Sequence, residues 1–248
     1  MSEGGVQSVG RALDVLEQLA STGRPMGVSE LGQATGLPYA TIHRLAATLV
    51  QRGYVRQEPR TRKYVLGARL VQLGGAAGRL LDSWVRPALS ELVERTGETA
   101  NLALLEDGYA VYVAQVASKR MVRMFTEVGN RVLPHATAVG KVLLAHQPRE
   151  YVERVVQRHG LPARTANTIT EIDTFLASVD QAAERGFAED IEEQEDGVNC
   201  VAVPILGPGG WVAAMSVSGP ASRMQPAQRQ AAITALQDVA RGLSAEMS

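Results

Sequence analysis

The first 66 residues of this 248-residue chain hold three runs of helical spacing, punctuated by glycine and proline, ahead of a short basic hairpin, and this pattern narrows the folds open to it. Val9, Ala12, Leu13, Leu16, Leu19 and Ala20 follow the i, i+3, i+4, i+7 spacing of an amphipathic helix, and Gly23-Arg24-Pro25 ends it. A second, short helix is expected next, with Ser29 as its N-cap, Leu31 and Ala34 facing inward, Val28 just outside, and Gly36 at a left-handed C-cap position. Leu37-Pro38 opens a third helix running to about Gln51, since proline is tolerated at a helix start where its missing N–H would have no partner. The buried stripe Ile42, Leu45, Ala46 and Leu49 leaves Tyr39, Ala40, Thr41, His43, Arg44 and Thr48 mainly on other faces. Gly53 closes that helix, and Tyr54-Val55-Arg56 and Lys63-Tyr64-Val65-Leu66 form a hairpin around the polar turn Glu58-Pro59-Arg60-Thr61-Arg62.

Two helices joined by a glycine-containing turn and followed by an arginine-rich hairpin make a winged helix-turn-helix. Its third helix is expected in the DNA major groove, with Thr41, His43 and Arg44 reaching base edges or phosphates and Tyr39 and Thr41 also placed to position the backbone. Arg60, Arg62 and Lys63 on the wing suit phosphate or minor-groove contact, which gives affinity and salt dependence more than sequence choice. The alternative is a solvated charged surface on a winged helix that binds proteins. Charge favours DNA: residues 1–66 carry eight Arg/Lys against five Asp/Glu, and the remaining 182 carry 17 against 21.

From Gly67 to about Thr96 the pattern is helical again, in two segments expected to meet near Gly74-Gly75 and Gly78. Beyond Gly97, strands at Ala100–Leu105, Ala110–Val116, Val198–Leu206 and Trp211–Ser218 alternate with helices at Ala136–Ala145, Glu150–His159, Glu171–Glu184 and Pro226–Met247. Turns such as Glu106-Asp107-Gly108 and Gly207-Pro208-Gly209-Gly210 favour antiparallel hairpins, so the second domain is expected to be α+β with a mainly antiparallel sheet. The division expected is a winged helix-turn-helix over 1–66, a helical linker over 67–82 and an effector-binding domain over 83–248. No apolar run approaches a membrane span and the Met1-Ser-Glu-Gly-Gly start lacks the order of a signal peptide, so a cytoplasmic protein is expected. The single cysteine, Cys200, excludes an intramolecular disulfide framework and zinc sites built on several thiolates.

Six segments in order resemble the IclR family of transcriptional regulators: Ser8-Val9-Gly10-Arg11-Ala12-Leu13-Asp14-Val15-Leu16; Leu37-Pro38-x-x-Thr41-x-x-Arg44-Leu45; Gly53-Tyr54-Val55; Tyr64-x-Leu66-Gly67; Leu133-Pro134 with Ala136-Thr137-Ala138-x-Gly140-Lys141-x-Leu143-Leu144-Ala145; and Ser216-Val217-Ser218-Gly219-Pro220. The resemblance implies a homodimer or dimer of dimers (a homotetramer) whose C-terminal domain is GAF-like and binds a small effector, while paired winged helices grip a pseudo-palindromic double-stranded operator.

In family members that sense small 2-oxo acids, a loop entering a helix, an aspartate, a cysteine ten residues later and two serines on a following strand form the pocket. The resemblance carries these onto Ala138, Val139 and Gly140, Asp190, Cys200, Ser216 and Ser218, with Met121 and Met124 as an apolar lid wall. The chemistry is consistent: N–H groups at a helix start suit a carboxylate, and serines two apart on a strand share one face. Asp190 would accept from a ligand hydroxyl or hydrated carbonyl, or orient a serine. Ala138-Val139 stands where a glycine would allow the closest approach, which bears on ligand size.

Against these stand blander roles: Cys200 as a small buried hydrophobe, Ser216 and Ser218 satisfying the sheet, and Asp190 as one more member of the acidic run 189–196. A thiol enzyme pairing Cys200 with His135 has no supporting spacing, and Gly140-Lys141 is no phosphate loop because Val142 stands where Ser or Thr should hold magnesium. The expectation is therefore a repressor, not an enzyme, without cofactor or metal, released by a small glyoxylate-like oxo- or hydroxy-acid; the alternative is the same architecture sensing an aromatic acid.

Overall fold

The structure, a computed structural model, describes residues 6–122, 128–207 and 212–246. The chain divides into two compact units, Met1–Arg79 and Leu80–Ser248.

The first unit holds α1 (Gln7–Thr22), α2 (Val28–Thr35), α3 (Tyr39–Gln51) and an antiparallel wing of β1 (Val55–Gln57) and β2 (Tyr64–Leu66). Its core is the set that helical spacing selects: Val15 and Leu19 from α1, Leu31 from α2, Ile42, Ala46 and Leu49 from α3, closed by Val55 and Tyr64 of the wing. Each such large side chain, fully buried, contributes about 1.5–3 kcal/mol. Gly23 and Gly36 end α1 and α2 in the left-handed conformation (φ 61° and 69°), where a Cβ would be strained. The start of α2 differs from the expectation for Ser29. The helix already includes Val28, and its amide end is closed by the Glu30 carboxylate, which accepts from Gly27 N at 2.7 Å.

The segment expected to break near Gly74 is one helix, α4, from Ala68 to Thr96. Its glycines each cost about 1 kcal/mol relative to alanine, a penalty that the surrounding Leu, Arg and Ala overcome. Within the second unit its later turns supply Val85, Leu89 and Leu92 to the core. The domain boundary accordingly falls inside a helix, between Arg79 and Leu80.

The second unit is built on a six-stranded antiparallel sheet ordered β5-β4-β3-β8-β7-β6. The strands are β3 (Thr99–Glu106), β4 (Tyr109–Val116), β5 (Arg131–Val132), β6 (Ala188–Ile191), β7 (Val198–Leu206) and β8 (Val212–Pro220). Strand alternation sends Val201, Val203, Ile205, Met215 and Val217 to one face, against α4 and the long α8 (Pro226–Glu246). The opposite face, with Ala103, Cys200, Ala202 and Ala214, is covered by α5 (Ala138–Ala145). Two further helices, α6 (Arg149–His159) and α7 (Ile172–Arg185), pack around Phe175, Leu144 and Val156 beyond it. The expected helix at Ala136–Ala145 begins later, because Pro134–Ala136 forms a 3-10 turn and Thr137 caps α5. Neither β5 nor β6 was expected: each is short, and β6 is held by its pairing with β7. The turn expected at 207–210 and the start of the last strand at Trp211 fall partly outside the described residues.

Candidate effector site and DNA-binding surface

On the surface of the first unit, α3 presents Tyr39, His43 and Arg44 to solvent, with Thr41 half-buried. Tyr39 and His43, one turn apart, stack with ring centroids 6.5 Å apart, so the start of the helix carries a rigid polar edge. The wing turn is held by Thr61 Oγ1 donating to Glu58 Oε2 (2.8 Å) and Gln57 Nε2 donating to Arg62 O (2.8 Å). Arg62 takes φ 59°, which lifts the tip of the turn, and Arg60 and Arg62 are exposed. Lys63, also on the wing, has its Nζ 3.2 Å from Glu30 Oε2, which fastens the wing to α2. The Gly27 amide, then Arg24 and Lys63, hold the Glu30 carboxyl down at about 2.

In the second unit, register does what sequence distance conceals. Asp190 on β6 stands opposite Cys200 on β7, and Cys200 opposite Ser218 on β8. One step along, Ala202, Ser216, Asn101 on β3 and Gln115 on β4 form a parallel row. All point to the face covered by α5. Asp190, Cys200, Ser216 and Ser218 are buried, as is Asn101, at 0% exposure. Ser218 Oγ donates to Cys200 Sγ at 3.1 Å, Gln115 Nε2 donates to Asn101 Oδ1 at 3.0 Å, and Asn101 Nδ2 reaches the hydroxyls of Ser216 and Ser218 at 3.4 and 3.5 Å.

The start of α5 packs into the cluster that contains Cys200, through Ala138 and Val139. Thr137 Oγ1 accepts from Gly140 N (3.1 Å) and Thr137 O from Lys141 N (3.1 Å). The Gly140 amide is thus already engaged, and the Ala138 and Val139 amides are the ones a helix start leaves for an incoming anion. Gly140 matters sterically instead: a Cβ there would lie 2.2 Å from Pro134 Cα, so glycine permits the 3-10 turn to lie against the helix.

Charge within the site is largely internal. Asp190 Oδ1 accepts from the amides of Glu193 (2.7 Å) and Gln194 (3.3 Å), which curls the chain after β6. Lys141 Nζ, buried, donates to both Glu193 carboxylate oxygens (2.5 and 2.7 Å) and to Glu189 O (3.0 Å), tying α5 to that curl. Burial pushes the Asp190 carboxyl up to about 7, against the lowering pull of the Glu193 amide and with help from the Glu193 charge. Burial and then the Asp190 charge push the Cys200 thiol up to about 12, which makes it an unreactive neutral group. Tyr112 lies on the same sheet face, in the cluster that contains Cys200, and burial pushes its hydroxyl up.

The structure therefore brings together Asp190, Cys200, Ser216, Ser218 and the start of α5. It does not add Met121, which is 97% exposed: after β4 the chain turns outward, anchored by Ser118 Oγ donating to Gly97 O (2.6 Å) and by Arg120 on the buried Glu98 (2.6 Å). Met124 lies outside the described residues. Asn101, Tyr112 and Gln115 were missed by sequence reasoning, although a buried-type strand with Asn in Thr99-Ala100-Asn101-Leu102 was a visible signal.

An N-terminal winged helix-turn-helix followed by an α+β unit with a polar, helix-covered sheet face is the architecture of a DNA-binding transcriptional regulator. The IclR helix-turn-helix domain matches residues 8–59 and the bacterial transcriptional regulator IclR C-terminal domain matches residues 76–245, so the chain belongs to the IclR family. It is 35% identical over 246 residues to the HTH-type transcriptional regulator KdgR of Escherichia coli K12, covering 98% of this chain and 93% of that one. It is 35% identical over 226 residues to the transcriptional repressor IclR of the same organism, covering 89% and 82%. An IclR homologue from Microbacterium hydrocarbonoxydans, solved in complex with 4-hydroxybenzoate, superposes with a TM-score of 0.76 at 25% identity over 97% of this chain and 99% of that one. These relatives are regulators, not enzymes. Among the described residues, no group of three or more His, Cys, Asp or Glu side chains is arranged to hold a metal, and no helix is long and apolar enough to cross a membrane.

Proposed function

We propose that this regulator is a repressor whose second unit binds a small 2-oxo or 2-hydroxy acid between the start of α5 and the row Asp190, Cys200, Ser218, and that binding loosens its hold on DNA. The observation that carries the reading is this row of buried hydrogen-bonding side chains facing the amide end of a capped helix. An acid carboxylate suits the Ala138 and Val139 amides, the serine hydroxyls suit its second oxygen, and a carboxyl at Asp190 held near neutrality does not repel an anion as a fully ionised one would. Lys141 is committed to Glu193, so selectivity rests on hydrogen bonds more than on a free cation.

DNA is held by α3 and the wing. Arg44 and His43 reach base edges or phosphates, Tyr39 and Thr41 set the helix, and Arg60 and Arg62 contact phosphates; Lys63 contributes less because of Glu30. The protein acts as a homodimer or dimer of dimers. In support, a groove of about 730 Å³ runs along α1, α3 and the first turns of α4, with an apolar wall of Val9, Leu13, Leu16, Leu45, Leu49 and Leu73 and with Arg11, Thr41, Arg44 and Arg52 also lining it.

A thermal-shift screen of pyruvate, glyoxylate, glycolate and 4-hydroxybenzoate tests the ligand. Stabilisation by the small acids is expected. Stabilisation by 4-hydroxybenzoate alone, the molecule bound to the 25% identical homologue, would replace this assignment with an aromatic acid.

A further inference from the structure

Asn101 has no direct counterpart in the pattern that suggested the site, yet it is fully buried between the two serines and Gln115. Because Gln115 Nε2 donates to Oδ1, the Nδ2 end is the one turned toward Ser216 and Ser218. A hydroxyl oxygen that accepts from Asn101 directs its own hydrogen elsewhere, and Ser218 sends it to the sulfur of Cys200. Thiol sulfur is a weak acceptor, so a ligand oxygen displaces it readily. Ser218 is thus a donor aimed into the site, and Ser216, which accepts from the same Nδ2, keeps its hydrogen to give, with the direction of both set one strand away.

We propose that Gln115 and Asn101 form an amide relay that fixes Ser216 and Ser218 as donors and so selects a ligand whose second group is an acceptor, a 2-oxo acid, over the 2-hydroxy acid of the same skeleton. The selectivity part of this inference rests on the acid-binding reading above. Gln115 is a positioning residue here, acting through Asn101, and Asn101 acts through the serines. A 2-hydroxy group can also accept from the serines, but its own hydrogen must then find a further acceptor that a 2-oxo group does not need, and that difference favours the 2-oxo acid.

The relay is inverted at Gln115, which is only half-buried and sits on the far side of Asn101 from the serines. In Gln115→Glu the new carboxylate can only accept. Asn101 must then offer Nδ2 to it and turn Oδ1 to the serines, which donate to that oxygen instead of to ligand or sulfur. Gln115→Leu removes the pin without reversing it. Two measurements on the full-length chain read the result: the dissociation constants of pyruvate and of both lactate enantiomers by calorimetry, and, without ligand, the infrared S–H stretch of the single cysteine. Wild type is expected to prefer pyruvate. Gln115→Glu is expected to reduce that preference roughly tenfold and to shift the S–H band, with Gln115→Leu between the two. A purely structural role would weaken all three acids together. An unmoved S–H band in Gln115→Glu overturns the relay, and a moved band with an unchanged preference overturns its part in selectivity. If wild type binds none of the acids, the acid-binding reading and the selectivity both fall, while the band still decides whether the relay exists.

Discussion

The two units place their polar side chains in opposite ways. In the first, the core is wholly apolar apart from Tyr64, and Tyr39, His43, Arg44, Arg60 and Arg62 stand on a helix edge and a wing, in contact with water. In the second, Asp190, Glu193, Lys141, Asn101, Ser216 and Ser218 lie inside, each bonded to another. A surface that meets a phosphate backbone needs charge that is already solvated, and its rigidity comes from the scaffold beneath. Side chains that are to tell one small molecule from another need donors and acceptors whose directions are fixed, and burial fixes them at the cost of desolvation. The difference predicts that polar substitutions in the first unit change binding and spare stability, whereas those in the second change both.

The sharpest test of that contrast is Lys141→Met, which leaves Glu193 buried without its cation and is expected to destabilise the chain by about 3–5 kcal/mol in urea unfolding. Adding Glu193→Gln should recover much of the loss; no recovery would mean that packing and not charge holds α5 to the curl after β6. A smaller effect is expected at the surface: Arg44→Ala should weaken DNA binding by about 1–3 kcal/mol with an unchanged urea midpoint. A fall in stability of similar size would break the distinction between the units.

The pH dependence of stability provides the finest test. The folded-state value of Asp190, about 7, lies above its ordinary 3.8, so between those values the folded chain holds a proton that the unfolded chain has released. Its contribution is full below about 3.8 and is lost as pH rises toward 7. Asp190→Asn should remove this part of the slope. Glu30 runs the other way: its lowered carboxyl stabilises above the ordinary value of 4.5, and that support is lost as pH falls toward about 2. Urea midpoints of wild type and Asp190→Asn across this range separate the two.

The same contrast explains what was legible in the sequence. Helix spacing and the glycines at 23 and 36 are local signals, and the first unit is made of local contacts, so its helices, wing and exposed arginines could be read directly. Cys200, Ser216 and Ser218 were legible as alternation on two strands together with a family pattern. Asn101 was not, because its place beside the serines depends on β3 pairing with β8, a partner 115 residues away in the case of Ser216, and Gln115 joins the row only through Asn101, its partner across the β3–β4 hairpin. The acidic stretch from Glu189 conceals β6 for a similar reason, since its burial comes from β7 and Lys141 and nothing in its own composition announces it. Glycine misled in α4, where helix formers on both sides outweigh three weak positions.

Occupation of the buried row is expected to alter the grip of an exposed surface elsewhere in the chain. Fluorescence anisotropy of a labelled duplex from upstream of its own gene, titrated with protein at fixed salt with and without pyruvate, tests it in wild type and in the Ser216→Ala/Ser218→Ala double variant. Pyruvate is expected to weaken DNA binding by wild type, while the double variant binds the duplex as tightly but ignores the acid. An equal response in both proteins, or none in wild type, would contradict it.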